Sequence, residues 1–287
     1  MRFLTTITTL WFIGLTSAAQ AAGAGHVMPL YAQPVVDWAN VTNSMIMVWL
    51  ATGLIILFSR VATKRMSLVP AGIQNVAEWM VESLYTFLEG LVGAHMIKRT
   101  FWFLGSIFFL IITVNYLGLM PGVGTIGRNE MVDGHAHFIP FLRGGNADLN
   151  MTMAMALTFA VLWFYWAITE NGIGGFLHHI FAPKGTFHGL MLAMMIPIFL
   201  AVGVLEIISI MIRPVALTFR LFGNIYGGEQ TLEKLMALVP AKLAFLPALP
   251  FYFMELLVGL VQALVFMLLT AVFLRLICEH AGEEEHH

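Results

Sequence analysis

Five long apolar runs, separated by short polar stretches, set the organisation of this chain. Residues 41–59 form a nearly uncharged run of about the length that crosses a bilayer, and Arg60, Lys64 and Arg65 follow it at once. Residues 101–120 and 151–169 read as two further crossings. A much longer run, 191–238, is broken by Pro197 and Pro214, and the last run spans 246–274. Between the first two crossings the period changes. From 72 to 93, Ile73, Val76, Met80, Leu84, Leu88 and Leu91 fall on one helical face, and Gln74, Asn75, Glu78, Glu82 and Glu89 fall on the other. That pattern predicts an amphipathic helix lying on the membrane or against a partner. The fold expected is therefore an all-α integral membrane protein: five membrane-crossing helices and one interfacial helix, with the last two crossings long, tilted and paired as a hairpin.

The polar stretches orient these elements. Arg60, Lys64, Arg65, Lys98, Arg99, Lys184 and Arg275 fall on one side of this topology, against Arg128, Arg143 and Lys242 on the other. Basic residues accumulate on the cytoplasmic side, so the N-terminus is expected outside and the C-terminus inside. Residues 121–149, rich in Gly, then form an outside loop, and the stretch Glu170-Asn171-Gly172-Ile173-Gly174-Gly175 begins an inside one. At the start of the chain, Arg2, an apolar stretch and Ala19-Gln20-Ala21 read as a secretory signal over 1–21. Residues 22–287 make a single polytopic membrane domain.

Composition narrows the function classes. Hydrophobic residues make up 59% of the 287, charged residues 10%, and mean hydropathy is +0.85. Water-soluble domains do not reach these values. The net charge of -2, with no basic stripe, removes the electrostatic footprint of a nucleic-acid-binding protein. Cys278 is the one cysteine, so neither an internal disulfide nor a Cys-rich metal site can form. The 19 methionines are scattered over the apolar runs and read as packing or lipid-facing residues.

Polar residues in the last two runs demand an explanation. A charged side chain at membrane depth costs about 2.5 to 3.5 kcal/mol on insertion scales. Yet Glu206, Arg213, Arg220, Asn224, Glu229 and Glu233 occupy one run, and Glu255 and Gln262 the next. At 100° per residue, Glu206, Ser209, Arg213, Arg220, Asn224 and Gly227 project within about 40° of one direction, a single polar stripe. Glu229 points almost oppositely to Arg220. Glu255 and Gln262, seven apart, share a face of the last helix. Two explanations are open on these grounds: a polar ion pathway, or an Arg220 satisfied by Glu229 or Glu255 that merely ties two helices together. Gly223, Gly227 and Gly228 beside the stripe would let another helix approach closely.

The segment Pro214-Val-Ala-Leu-Thr-Phe-Arg220-Leu-Phe-Gly-Asn224-Ile-Tyr-Gly-Gly-Glu229 closely resembles the Arg-Leu-Phe-Gly-Asn motif of the ATP synthase subunit a family. Gln262-Ala-Leu-Val-Phe-Met-Leu-Leu-Thr270 is similar to that family's last-helix motif, and Ala147-Asp148-Leu-Asn150 and Gly172-Ile-Gly-Gly-Phe176 resemble two further segments. The resemblance runs from about residue 35 to the C-terminus. It implies a non-catalytic stator subunit in a bacterial inner membrane, carrying no cofactor or metal, with the c-ring, the peripheral-stalk b subunits, the remaining ATP synthase subunits and the lipid bilayer as partners. It also implies two offset half-channels for H+ or Na+. Asp148, Asn150, Asn224, Glu229 and Glu255 would lie on the outside-facing one and Glu206 and Ser209 on the inside-facing one. Arg220 would separate them with Gln262 orienting it, and Gly223, Gly227 and Gly228 would face the ring. One departure stands out: family members often pair an acid with a histidine where this chain has Glu229 and Glu255. Two neighbouring carboxylates should titrate as a coupled pair.

Two other classes fit less well. A secondary cation antiporter would place acids and an arginine at mid-membrane, but such proteins show inverted repeats and this sequence has none. A membrane di-iron enzyme is suggested by His135 with His137, His178 with His179 and His286 with His287. The first pair falls outside and the others inside, so they cannot share one metal site. Neither His-Glu-x-x-His nor Gly-x-Ser-x-Gly occurs.

Overall fold

A computed structural model describes residues 32–36, 40–120, 123–124, 126–132, 135–181, 190–240, 243 and 245–278. The proposed signal segment, Lys184, Lys242, His286 and His287 lie outside the described residues. Two antiparallel hairpins accompany the helices: β1 (Pro34–Val36) with β2 (Val41–Thr42), and β3 (Gly127–Val132) with β4 (His135–Pro140), where Arg128 is paired with Ile139.

Among the described residues, six α-helices carry the fold: α1 (Asn43–Thr63), α2 (Ile73–Val92), α3 (Ala94–Gly118), α4 (Leu149–Phe181), α5 (Leu190–Ala237) and α6 (Phe245–Cys278). Five of these, all but α2, contain stretches long and apolar enough to cross a membrane. The all-α membrane architecture read from the pattern is thus the observed one. Large apolar side chains on α1, such as Trp49, Leu54, Ile56, Leu57 and Phe58, are exposed, which in a membrane is contact with lipid. The interior is built where α3, α4, α5 and α6 meet, around Leu104, Ile111, Phe159, Trp163, Leu221 and Met267. Trp163 donates its indole N–H to the Phe273 carbonyl at 3.0 Å, fixing α4 on α6 with the polar tip of a buried aromatic satisfied.

α5 and α6 form an antiparallel hairpin. Leu232 and Met236 pack with Ala248 and Tyr252 near the turn, and Arg213 stacks over the Phe273 ring 4.8 Å from its centroid at the far end. Pro197 and Pro214 interrupt the backbone ladder of α5 without ending it, and the Thr218 hydroxyl donates to the Pro214 carbonyl at 2.9 Å.

Three expectations are corrected. Residues 170–175 are not an open loop: helical structure continues past them to Phe181, broken at Gly172, whose non-helical backbone (φ 67°, ψ 167°) joins two helical stretches of α4. Glu170 stays compatible with that helix because Arg99 of α3 pairs with it, and the Asn171 amide donates to the Ala167 carbonyl at 3.2 Å. Gln74, assigned to the polar face of α2, is buried. Its side chain doubles as a clasp on the incoming chain, accepting from the Ser67 N–H at 3.1 Å and donating to the Ser67 carbonyl at 3.0 Å. Arg143, counted with the outside loop, is 2% exposed and enters the helix bundle.

Candidate ion-translocation site

The end of the bundle where α1 and α4 begin and α3 ends is closed by a short 3₁₀ turn, Gly145–Ala147. Gly145, Asn146 and Ala147 are all buried, packed between apolar side chains such as Val48 and Val114 and a set of polar ones. Asp148, 4% exposed, follows this turn and caps α4: its Oδ1 accepts from the Asn150 N–H at 3.1 Å, satisfying one of the free amides of the first helical turn. Its other oxygen, Oδ2, accepts from the Ser44 hydroxyl of α1 at 2.7 Å. Asn43, beside it, donates to the Pro140 carbonyl at 3.2 Å. The Asn150 side chain is exposed.

Beneath this turn, a narrow cavity is lined by Asn115, Asn146, Glu229 and Glu255, together with Gly118, Gly144 and Gly259. Asn146 donates to Asn115 Oδ1 at 2.6 Å, and Asn115 donates to the Gly259 carbonyl of α6 at 2.9 Å. The two carboxylates reach the cavity from different helices because glycines let them in. Glu229 Oε1 lies against the Cα of Gly144, and the Glu255 carboxyl group lies against Gly228; a β-carbon at either glycine would occupy the space of the carboxylate. Gly228 therefore faces the inside of the α5–α6 hairpin, whereas Gly223 and Gly227 have open space in front of them. Glu229 Oε2 makes no hydrogen bond, and its nearest cation is Arg143, whose Nε is 4.0 Å away.

A second cleft lies towards the other end of the hairpin, lined by Ser209, Arg213, Arg220, Leu269 and Phe273 among others. Here Glu206 accepts from Arg213 at 3.0 Å, so the acid assigned to the inside-facing pathway is ion-paired within its own helix. Ser209, Arg220 and Asn224 are exposed along the stripe read from the sequence, flanked by exposed Leu205, Ile208, Met211, Ile212, Val215 and Phe219.

Arg220 has no hydrogen-bond or ion-pair partner among the described residues. Neither Glu229 nor Glu255 satisfies it. Glu229 lies nine residues, about 14 Å, further along α5 and on the opposite face. The helix-tying role for Arg220 therefore has no contact to rest on. Gln262, half-buried, makes no hydrogen bond to Arg220 among the described residues, although the antiparallel register brings its turn of α6 level with that of Arg220.

This arrangement, a cavity holding two carboxylates towards one end of the α5–α6 hairpin and a cleft lined by Ser209, Arg213 and Arg220 towards the other, is matched by what the chain resembles. Residues 45–275 match the family model described as ATP synthase A chain. The chain belongs to the ATP synthase A chain family. Curated relatives agree along most of its length. ATP synthase subunit a of Solidesulfovibrio magneticus is 31% identical over 92% of this chain and 94% of its own. That of Aliivibrio salmonicida is 33% identical over 86% and 83%, and ATP synthase subunit a 1 of Photobacterium profundum is 35% identical over 82% and 84%. As a member of the ATP synthase A chain family, the protein is a non-catalytic membrane-sector subunit, embedded by several crossings and assembled with other ATP synthase subunits.

Four residues of the site escaped the sequence reading. Ser44 and Asn115 sit in apolar runs as isolated small polar residues, which membrane helices often carry as packing. Arg143 lies in a loop, where an arginine ordinarily meets water. Asn146, directly before the Ala147-Asp148 segment, was the one with a nearby signal.

Proposed function

We propose that the protein is the ion-conducting stator of a rotary ATP synthase, passing H+ or Na+ through two offset half-channels that meet a rotating ring of small subunits. The observation that carries this reading is the position of Arg220: exposed, unpartnered among the described residues, on the wall of the cleft at one end of the α5–α6 hairpin and on the helix face opposite Glu229, whose cavity lies at the other end. The cleft with Glu229, Glu255 and Asn115 opens from the outside, capped by Asp148 and Asn150. The cleft lined by Ser209, beside Glu206 paired with Arg213, opens from the cytoplasm. The open strip of α5 bearing Gly223, Asn224 and Gly227 faces the ring, whose subunits each bring a membrane carboxyl group. In this reading the N-terminus is outside and the C-terminus in the cytoplasm of a bacterial inner membrane. Peripheral-stalk b subunits hold the chain against rotation.

The chemistry of arginine suits the junction. A guanidinium stays protonated in proteins, so Arg220 attracts a passing ring carboxylate without becoming a proton carrier. An ion passing directly between half-channels would dissipate about 2.3 kcal/mol per 100 mV as leak. A fixed cation between the clefts closes that route and obliges the ring to turn.

Arg220→Ala is expected to leave the complex assembled and to reduce both ATP-driven pumping and ion-driven synthesis to background in reconstituted vesicles. Near wild-type coupled pumping in the variant would remove Arg220 from the junction, and loss of assembly would return it to a structural role.

A further inference from the structure

Arg143 is the largest fully buried side chain of the molecule's described residues, and it comes from a loop. Three groups fix it. One terminal nitrogen donates to the Ala147 carbonyl at 3.3 Å, within the turn that leads into the Asp148 cap. The guanidinium carbon lies 5.9 Å from the centroid of the Tyr226 ring on α5, within cation–π range. Its Nε faces Glu229 Oε2 at 4.0 Å. The buried cation is thus aimed from the outer loop at one member of a carboxylate pair that lines a single cavity.

A pair of carboxylates can relay a proton only in the state where one holds it and the other is ionised. Two ionised acids in a low-dielectric cavity repel, and two protonated acids have no acceptor. The charges facing Glu229 are Arg143 from the loop before the 3₁₀ turn, Glu255 from α6 and Glu233 from its own helix, so Arg143 is the cation among two further acids. A permanent positive charge beside Glu229 stabilises the singly ionised pair and selects which member carries the charge. Because arginine does not deprotonate, it does this without joining the relay.

We propose that Arg143 is a positioning residue for proton transfer, holding the Glu229–Glu255 pair in its singly ionised state from outside the two helices that bear it. This rests on the reading of Glu229 and Glu255 as the outside-facing half-channel.

The test is ATP-driven proton pumping by assembled complexes in vesicles carrying Arg143→Lys, Arg143→Gln and Arg143→Met, each also combined with Glu229→Gln. Arg143→Lys keeps the charge and should retain most of the rate. Arg143→Gln and Arg143→Met, the latter keeping apolar volume, should each slow pumping by roughly tenfold, the change in ionised fraction that one pKa unit produces. In the Glu229→Gln background the neutral substitutions should add little, since the charge they remove has lost its object. Wild-type rates in both neutral variants, or equal losses with and without Glu229, would overturn the role of Arg143 while leaving the half-channel intact. Assembly of Arg143→Lys alone would overturn it too, because the charge would then be holding the fold. A Glu229→Gln complex that itself pumps at the wild-type rate would instead bring down the half-channel reading beneath it.

Discussion

At the scale of single residues, two glycines decide where the acids of the outer cleft can go. The Glu255 carboxyl group occupies the space next to the Cα of Gly228, so Gly228→Ala should displace it from the cavity. Pumping in Gly228→Ala should fall several-fold, whereas Gly223→Ala, whose β-carbon would meet nothing in this chain, should report only on contact with the ring. Comparing the pumping rates of the two variants separates space inside the hairpin from space on its open face. At position 255 itself, a histidine should preserve far more proton delivery than a leucine, because it keeps a titrating group at that point of the cavity. The readout is ATP-driven acidification of inverted vesicles. Equal activity in Glu255→His and Glu255→Leu would put Glu255 outside the ion path. These residues also show how far a sequence can be read. The stripe Glu206, Ser209, Arg213, Arg220 and Asn224 was legible because helical periodicity alone fixes which side chains share a face. The burial of Arg143 was not, since nothing local distinguishes a loop arginine in water from one reaching 4.0 Å from a carboxylate.

Among the elements, the last two crossings hold the site and the second, α3, keeps them in register. Asn115 of α3 ties the 3₁₀ turn to the backbone of α6 by accepting from Asn146 and donating to the Gly259 carbonyl. Replacing Asn115 with Leu would leave the buried amide of Asn146 without this partner and crowd Gly259, whose β-carbon position already lies 3.2 Å from Asn115 Cβ. A cost of about 1 to 3 kcal/mol is expected for the unsatisfied group. It should appear as a lowered unfolding temperature of the purified complex and as slower pumping. Identical melting of Asn115→Leu and wild type would show that this bond ties nothing. The cap at Asp148 is a gentler case. Asp148→Ala removes both the bond from the Asn150 amide and the one from Ser44, so its effect should exceed the ~1 kcal/mol of an isolated N-cap.

For the whole molecule, the orientation of the bundle is the feature that function depends on. In the reading proposed here, cysteines at Ile126 and Phe141 face outside, and cysteines at Ser67 and Ala71 face the cytoplasm; all four positions are exposed. In a variant with Cys278 replaced by Ser, a membrane-impermeant maleimide applied to intact cells should label the first two and spare the second two. The opposite pattern would invert the two half-channels. On the same scale, replacing His135, His137, His178 and His179 together with Gln should leave ion-driven ATP synthesis largely intact, since two come from the outer hairpin and two from the far end of α4. Loss of synthesis in an assembled complex would give those segments a role.

The sequence by itself determined the five crossings, the interfacial helix and the polar stripe of α5. Each is a consequence of periodicity and of the cost of exposing backbone and charge to lipid, both of which act along a single helix. It also carried family membership, through the Arg220 to Asn224 motif. The partners of those polar residues were decided only in the tertiary structure. Glu229 meets Arg143, Glu206 meets Arg213, Asp148 caps α4 and holds Ser44, and Arg220 is left facing outward. Which of several acids a buried cation meets depends on where glycines such as Gly144 and Gly228 allow backbones to close within contact distance. That closeness is a property of helices packed together, and the spacing of residues along any one of them does not contain it.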